Sequence, residues 1–432
     1  MSPESRGSSS VAIDVHASAR RIAGDISTLS GPAFTRSATT ICRYAYTEEY
    51  DNTVRFVAER LAELGFVTAQ DPVGNLIARN RPNGENVFSI GSHCDSNRNG
   101  GKFDGTLGVV VALEVCRLND EFGLHLPLQV IVPFEEEASG FGRAMLGSQI
   151  MSQTITEDEL RRLCSIDDGE PFWSHAQRAG FQPDRWRECS APLDTTMAWI
   201  ELHIEQGRVL QDAGERIGIV DAIVGIVHGD VVIRGRADHA GATPMDLRLD
   251  AGVSAAELVL ELTTLARGAR SRVVATGGEV SWEPGLINVV PERVQLGIDV
   301  RGPDAAELDG VLEEALRRVR ESAEAQGLEF SYAERTRVAP AAMDAAVVAA
   351  LTRAAEASGA PYRRMTSGAC HDTMHFARLV PSAMVFVPCR DGVSHSPAEH
   401  AEPADAALGA EIVLNALFAL AADRPAVMDQ AS

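Results

Sequence analysis

Long hydrophobic runs are missing from this 432-residue chain: nowhere do about 18 apolar residues follow one another, as a bilayer-spanning helix requires. A membrane-embedded protein is not expected. Positive charge is also scarce, 39 Lys plus Arg against 61 Asp plus Glu. The resulting formal charge of −22 repels phosphate backbones and anionic lipid, so neither nucleic acid nor membrane is an expected partner. The seven cysteines (Cys42, Cys94, Cys116, Cys164, Cys189, Cys370 and Cys389) contain no CxxC pair. An odd number of scattered thiols fits a reducing cytoplasm better than a disulfide framework. The opening MSPESRGSSSVAIDVHASARR lacks the unbroken apolar core of a signal peptide, and its Ser-rich start reads as a disordered tail, so a cytoplasmic location is expected. Internal repeats and long low-complexity segments are absent.

What is present is alternation. DNTVRFVAERLAEL has apolar residues at helical spacing and stops at Gly65. NVFSIGSH, LPLQVIVPFEEE, TMAWIELHIEQG and SAMVFVPC are short apolar runs that each end in polar residues, with helical stretches such as LGVVVALEVCRLNDE between them. This order predicts an α/β catalytic domain with a mainly parallel central sheet flanked by helices. Between residues 213 and 339 the pattern changes to paired strands (VDAIVGIVHGDVVIRG), a helix, a strand (VQLGIDVRG), a second helix and a last strand. That order predicts an inserted, smaller α+β domain of ferredoxin-like type, which splits the catalytic domain into residues 1–212 and 340–432.

In open α/β sheets, sites form at the carboxyl ends of the strands. Here His93 follows one apolar run, Glu135 to Glu137 a second, His203 and Glu205 a third, and His395 lies shortly after a fourth. A lone histidine at a strand end is ordinarily structural, and a run of glutamates is ordinarily a solvated surface; four strand ends carrying matching ligand types favour a metal site. Imidazole combined with carboxylate suits Zn, Mn, Co or Ni rather than Mg or Ca. In GSHCDSNRNGGKFDG, Asp95 lies two residues from His93 and can orient its ring, while Asp104 has two oxygens with which to bridge two ions. Cys94 beside His93 is a poor nucleophile and base pair, because adjacent strand residues point to opposite faces.

Seven segments, GSHCDSNRNGGKFDG, FEEEASGFGRAMLGS, ELHIEQGRVL, GRADHAGATPMDLRLDA, LINVVPERVQLGIDVR, SGACHDTMHFA and GVSHSPAEH, resemble in order the motifs of the M20 metallopeptidase superfamily. ELHIEQG and ADHAGATPM point to its amidase branch of N-carbamoyl-L-amino acid hydrolases, β-ureidopropionases and allantoate amidohydrolases. The resemblance implies one or two divalent ions (Zn, Mn or Co), one held by His93, Asp104 and His203, the other by Asp104, Glu137 and His395. It implies Glu136 as general base and Asp95 as the partner of His93. His239 would steady the oxyanion, in this family often across a dimer interface, so a homodimer or larger homo-oligomer through the small domain is expected. Arg301 and Asn288 match positions that bind the substrate's carboxylate, and Gln206, Arg98 and His371 are further candidates for substrate contact.

The chain departs from the branch at Asn97 and Arg98, where an apolar residue and proline are usual, and at Cys370, where glycine is expected. The expected activity is hydrolysis of a non-peptide C–N bond in a small acidic amide or ureido compound such as an N-carbamoyl amino acid. The departures keep a second reading open, an aromatic aminohydrolase resembling the 5-nitroanthranilate type that releases ammonia by nucleophilic aromatic substitution. The HIEQG motif disfavours a dipeptidase or aminoacylase of the same superfamily. Glu136 and the full set of ligand types speak against a non-catalytic protein that only binds a small acid.

Overall fold

The computed structural model describes residues 10–423, so the first nine residues of the Ser-rich opening lie outside it. In chain order the strands begin with β1 (Val67–Gln70), β2 (Leu76–Arg79), β3 (Val87–Gly91), β4 (Leu128–Val132), β5 (Thr196–Ile204) and β6 (Ile217–Ile223). They continue with β7 (Gly225–Arg234), β8 (Asp238–His239), β9 (Val274–Glu283), β10 (Val289–Val290), β11 (Arg293–Gly302) and β12 (Glu329–Val338). The last are β13 (Ala341–Ala342), β14 (Tyr362–Ser367) and β15 (Ser382–Val387).

The large sheet has the order β1-β2-β4-β3-β5-β15-β6-β13, with β14 paired to β6. Its four middle strands, β4, β3, β5 and β15, are mutually parallel, and antiparallel strands flank them. Every residue of these four strands is buried. That is why they read as mostly apolar runs without polar alternation: a strand covered on both faces has no solvent side to alternate with. The helix Thr106–Glu121 packs on this sheet and against helices Val15–Leu29 and Pro403–Ala422. Pro403–Ala422 is long and apolar enough to cross a membrane, although Asp405, Glu411 and Asn415 keep it from being an unbroken apolar run. It is mostly buried among the other helices, as a core helix is. The helix expected from Asp51 begins one turn earlier, at Glu48, because Thr47 caps it by accepting from the Tyr50 N–H; Gly65 then adopts φ +80° just past its end.

The described residues form two compact units. The larger runs to Asp221, returns at Met343–Met365 and resumes at His371; the smaller comprises Ala222–Ala342 and Thr366–Cys370. The expected boundary at residues 212 and 213 falls too early because β6 pairs with β15 and so extends the large sheet. For the same reason β6 and β7 are not a hairpin, although their alternation reads as one. In the smaller unit an antiparallel sheet of order β12-β7-β11-β9 carries helices Ala251–Gly268 and Ala305–Ala325 on one face. Val231, Ile233, Leu258, Leu262, Leu296 and Leu312 are among the residues that form the core between them. The order strand, helix, two strands, helix, strand is ferredoxin-like. Strand β9 is hard to see in the sequence because it is an exposed edge interrupted by Gly277 and Gly278, where the pairing with β11 shifts register.

One core residue makes stability depend on pH. His375 has Nδ1 3.1 Å from Thr154 Oγ1, its Nε2 lacks a hydrogen-bond partner, and burial, helped by Arg378 and Arg143, pushes its pKa from 6.5 down to about 4. Between those values the unfolded chain binds a proton that the folded chain does not, so stability falls as pH drops through this window. From pH 7 to pH 5 the wild type should lose about 2 kcal/mol more than His375→Gln. Urea midpoints of both proteins at the two pH values measure this; equal losses would contradict it.

Candidate metal centre

The four middle strands are parallel, so their carboxyl ends share one edge, and the loops leaving that edge carry the site. His93 follows β3, Glu135 to Glu137 follow β4, His203 is the penultimate residue of β5, and His395 follows β15 after the short turn Arg390–Gly392. Asp104 enters just before helix Thr106–Glu121. Between them Gly105 has φ +60°, and a Cβ there would lie 2.3 Å from the His93 ring, so only glycine lets the histidine sit against this turn.

Asp104 is the centre of the arrangement. Its Oδ1 lies 3.1 Å from His203 Nε2 and 3.8 Å from His93 Nε2, and its Oδ2 lies 3.2 Å from His395 Nε2. His395 Nε2 is also 3.3 Å from Glu137 Oε2. The ligand atoms of His93, Asp104 and His203 fall within 4.8 Å of one another, as do those of Asp104, Glu137 and His395. All but the half-exposed His395 are buried or nearly so. Glu136 belongs to neither group, but its Oε2 approaches His93 Nε2 at 3.8 Å.

Contacts behind these residues set their orientation. His203 Nδ1 lies 2.9 Å from the Ile204 carbonyl and His93 Nδ1 3.2 Å from the Asp95 carbonyl. A carbonyl only accepts, so each neutral ring carries its proton on Nδ1 and turns the bare Nε2 toward Asp104. Asp95 Oδ1 is 3.5 Å from His93 Nδ1, while Oδ2 accepts the Glu137 N–H at 3.0 Å, so one carboxylate braces ligands of both groups.

Charge is crowded here. Burial opposes ionisation of Asp104, but once the His203 and His395 rings take up a second proton their hydrogen bonds outweigh it and hold its pKa well below the usual range. Burial pushes Glu137 up to about 7, with Asp104 adding, and Glu136 well above its ordinary value. The hydrogen bond to Asp104 lifts His395 to about 9. His93 is raised well above 6.5 because Glu136, Asp95 and Asp104 outweigh its burial. A divalent cation taking the place of these ring protons would neutralise the converging carboxylates, and the mixed nitrogen and oxygen donors fit Zn, Mn or Co.

Two further carboxylates support the site with little sign of it in the sequence. Glu399 Oε1 accepts the N–H groups of Phe103 and Asp104 at 2.7 and 2.9 Å, and its Oε2 lies 3.1 Å from Ser394 Oγ, fixing the backbone of Asp104. Glu201, fully buried in β5, accepts from Ser92 Oγ at 2.7 Å and Thr373 Oγ1 at 2.6 Å. A lone acid within the apolar run TMAWIELHI was its only signal. Glu205 is a cap, accepting from the Val209 and Leu210 N–H groups. Glu135 accepts from Phe141 at 2.8 Å, and burial lifts it to about 8.

The remaining candidates fall in several places. Gln206 Nε2 donates to Asp104 Oδ2 at 2.9 Å, and the buried His371 ring stands edge-on to His203 at 4.5 Å. Arg98, a candidate for substrate contact, donates to the Ser139 carbonyl and to Asp167 Oδ1 and lies 4.9 Å over the Tyr44 ring. On the smaller unit, His239 Nδ1 accepts the N–H groups of Gly241 and Ala242, each at 3.1 Å, so the neutral ring presents an Nε2–H donor. Arg301 spends its fork on Asp299 and Nη1 on the Gly368 carbonyl, so a substrate carboxylate there has to share the guanidinium. Asn288 is exposed; its carbonyl accepts from Ala240 where β8 meets β10.

Residues 87–419 match the family described as Peptidase family M20/M25/M40. The chain belongs to this family. It is therefore a hydrolase of C–N bonds. It is 36% identical over 385 residues to an N-carbamoyl-L-amino acid amidohydrolase of Geobacillus stearothermophilus, covering 88% of this chain and 93% of that one. It is 34% identical to an allantoate amidohydrolase of Escherichia coli K12, covering 88% and 92%. A solved hydantoinase/carbamoylase family amidase from Burkholderia multivorans superposes with a TM-score of 0.84 at 30% identity, covering 93% of this M20 chain and 97% of its own.

Proposed function

We propose that this M20 hydrolase is a metal-dependent amidohydrolase that cleaves a non-peptide C–N bond in a small carboxylate-bearing ureido or amide compound, N-carbamoyl amino acids being the first choice. The observation that carries the mechanism is the position of Glu136, a largely buried carboxylate beside His93 that neither ligand group uses. The substrate class is supported by the names of the relatives above.

His93, Asp104 and His203 would hold one ion, and Asp104, Glu137 and His395 the other. When bound, the ions lower the pKa of water toward neutrality and polarise the substrate carbonyl. Glu136 accepts a proton from the attacking water and returns it to the leaving nitrogen, so that the C–N bond breaks as a neutral amine departs. The resemblance gives His239 the part of a donor to the oxyanion, in this family often across a dimer interface, a role worth about 3–4 kcal/mol for a well-placed donor. From an N-carbamoyl amino acid the products are the free amino acid and carbamate, which decomposes to carbon dioxide and ammonia. Product analysis tests this: carbon dioxide and ammonia in equal amounts support it, whereas ammonia alone from an aromatic amine contradicts it. The aromatic aminohydrolase reading rested partly on Arg98, which Ser139 and Asp167 engage, and no relative named above supports it or the dipeptidase, aminoacylase and binding-protein readings. The cytoplasmic placement is supported by the scattered cysteines, which form no disulfide among the described residues.

The assembly we propose is a homodimer through the smaller unit. Strand β9 is the open edge of its sheet, with Val274, Val280 and Trp282 exposed, and Val253 and Leu260 are exposed on the adjoining helix Ala251–Gly268. An open ten-residue edge with apolar flanks suits a second copy of the same strand under two-fold symmetry. Light scattering should give twice the chain mass for the wild type and the monomer mass for Leu260→Glu with Trp282→Glu; a monomeric wild type would contradict the dimer.

A further inference from the structure

Arg43 is 1% exposed and, among the described residues, makes no hydrogen bond to a carboxylate, an expensive placement for a cation. Its Nε donates to the Cys94 carbonyl at 2.7 Å, its Nη1 to the carbonyls of Leu29 and Phe34 at 2.7 and 3.2 Å, and its Nη2 to Thr106 Oγ1 at 2.7 Å. Its backbone is tied to the same loop: Ser96 N–H donates to the Arg43 carbonyl at 2.8 Å, and the Arg43 N–H donates to Ser96 Oγ at 3.2 Å. Two residues earlier, Ile41 and Gly100 exchange backbone hydrogen bonds of 3.1 and 2.9 Å.

Cys94 adjoins His93, and Thr106 opens the helix two residues after Asp104. We infer that Arg43 is a positioning residue of the metal centre, a planar clamp whose guanidinium fixes the distance between the loop bearing His93 and the helix start behind Asp104. The inference rests on the metal reading above and adds to it a residue that touches neither ion nor substrate. The gap it sets is narrow, since the Gly105 backbone already packs against the His93 ring and His93 Nε2 lies 3.8 Å from Asp104 Oδ1. A guanidinium suits the task because its donors diverge in one plane and reach the Cys94 carbonyl and the Thr106 hydroxyl together. A lysine ammonium, a single point on a flexible stem, cannot span both. The buried charge also lies within electrostatic reach of Asp95, the brace of His93.

The test uses the full chain stripped of metal and titrated with Zn²⁺ in competition with a chromophoric chelator, with Tm recorded for each variant. Arg43→Lys should weaken Zn²⁺ binding by roughly 10–100-fold, as loss of a group that orients ligands does. Arg79→Lys is the control: that arginine is also buried, but it donates to Thr195 Oγ1 and the Glu85 carbonyl, away from the ligands. It should lower Tm and leave Zn²⁺ affinity within about two-fold of wild type. Should Arg43→Lys fail to fold, Thr106→Val removes one arm of the clamp and should still weaken binding several-fold. A folded Arg43→Lys, or in its place Thr106→Val, with wild-type Zn²⁺ affinity would make Arg43 a core staple only and overturn the inference. A wild-type protein that takes up no Zn²⁺, Mn²⁺ or Co²⁺ would instead overturn the metal reading beneath it.

Discussion

Glu136→Gln is expected to lower kcat by about 10²–10⁴-fold while metal content and substrate affinity stay near wild type. The amide keeps the size of the carboxylate but cannot accept a proton from water. Because Glu136 lies outside both ligand groups, the ions keep all their proposed protein donors. Metal analysis and calorimetric binding of an N-carbamoyl amino acid to the variant separate this from a collapsed site. Turnover within ten-fold of wild type would remove Glu136 as the proton carrier, and full loss of metal would make it a ligand instead.

Asp104→Asn should have the broader effect. One oxygen of Asp104 faces His203 and the other His395, so a single substitution takes negative charge from both groups at once. The amide also turns an N–H toward a space where Gln206 Nε2 already donates at 2.9 Å and Ser394 Oγ lies 2.8 Å away. Both ions should be lost on dialysis, and turnover should vanish with them, a fall of at least about 10³-fold given what metal ions contribute to stabilising transition-state charge. A variant that retains one ion per chain would show that Asp104 serves a single position.

These effects concern residues the sequence exposes clearly. His93, Glu137 and His203 each stand at the end of an apolar run, and Asp104 sits between glycines at a helix start, so local pattern is enough to mark them. What local pattern cannot show is where a polar side chain spends its hydrogen bonds. Glu399 reaches back 295 residues to the Asp104 N–H, Glu201 spans 172 residues to Thr373, and Arg43 joins loops 51 and 63 residues away. Arg98 and Arg301 are candidates for an acidic substrate, and the sequence does not show that Asp167 and Asp299 engage them. The fold follows the same division. The buried parallel strands are legible because burial on both faces leaves them mostly apolar. The exposed edge β9 is not, and alternation alone could not tell that β6 and β7 belong to different sheets.

The central claim, a metal-dependent hydrolysis of a ureido bond, is tested most directly by stripping the enzyme of metal and reloading it separately with Zn²⁺, Mn²⁺ and Co²⁺. Each form is offered an N-carbamoyl-L-amino acid, allantoate, a dipeptide and a nitro-substituted anthranilate. The account predicts no turnover by the stripped enzyme and, in at least one reloaded form, one ammonia and one carbon dioxide per amino acid released from the carbamoyl substrate. Turnover of the nitroanthranilate alone, with ammonia and no carbon dioxide, would contradict it.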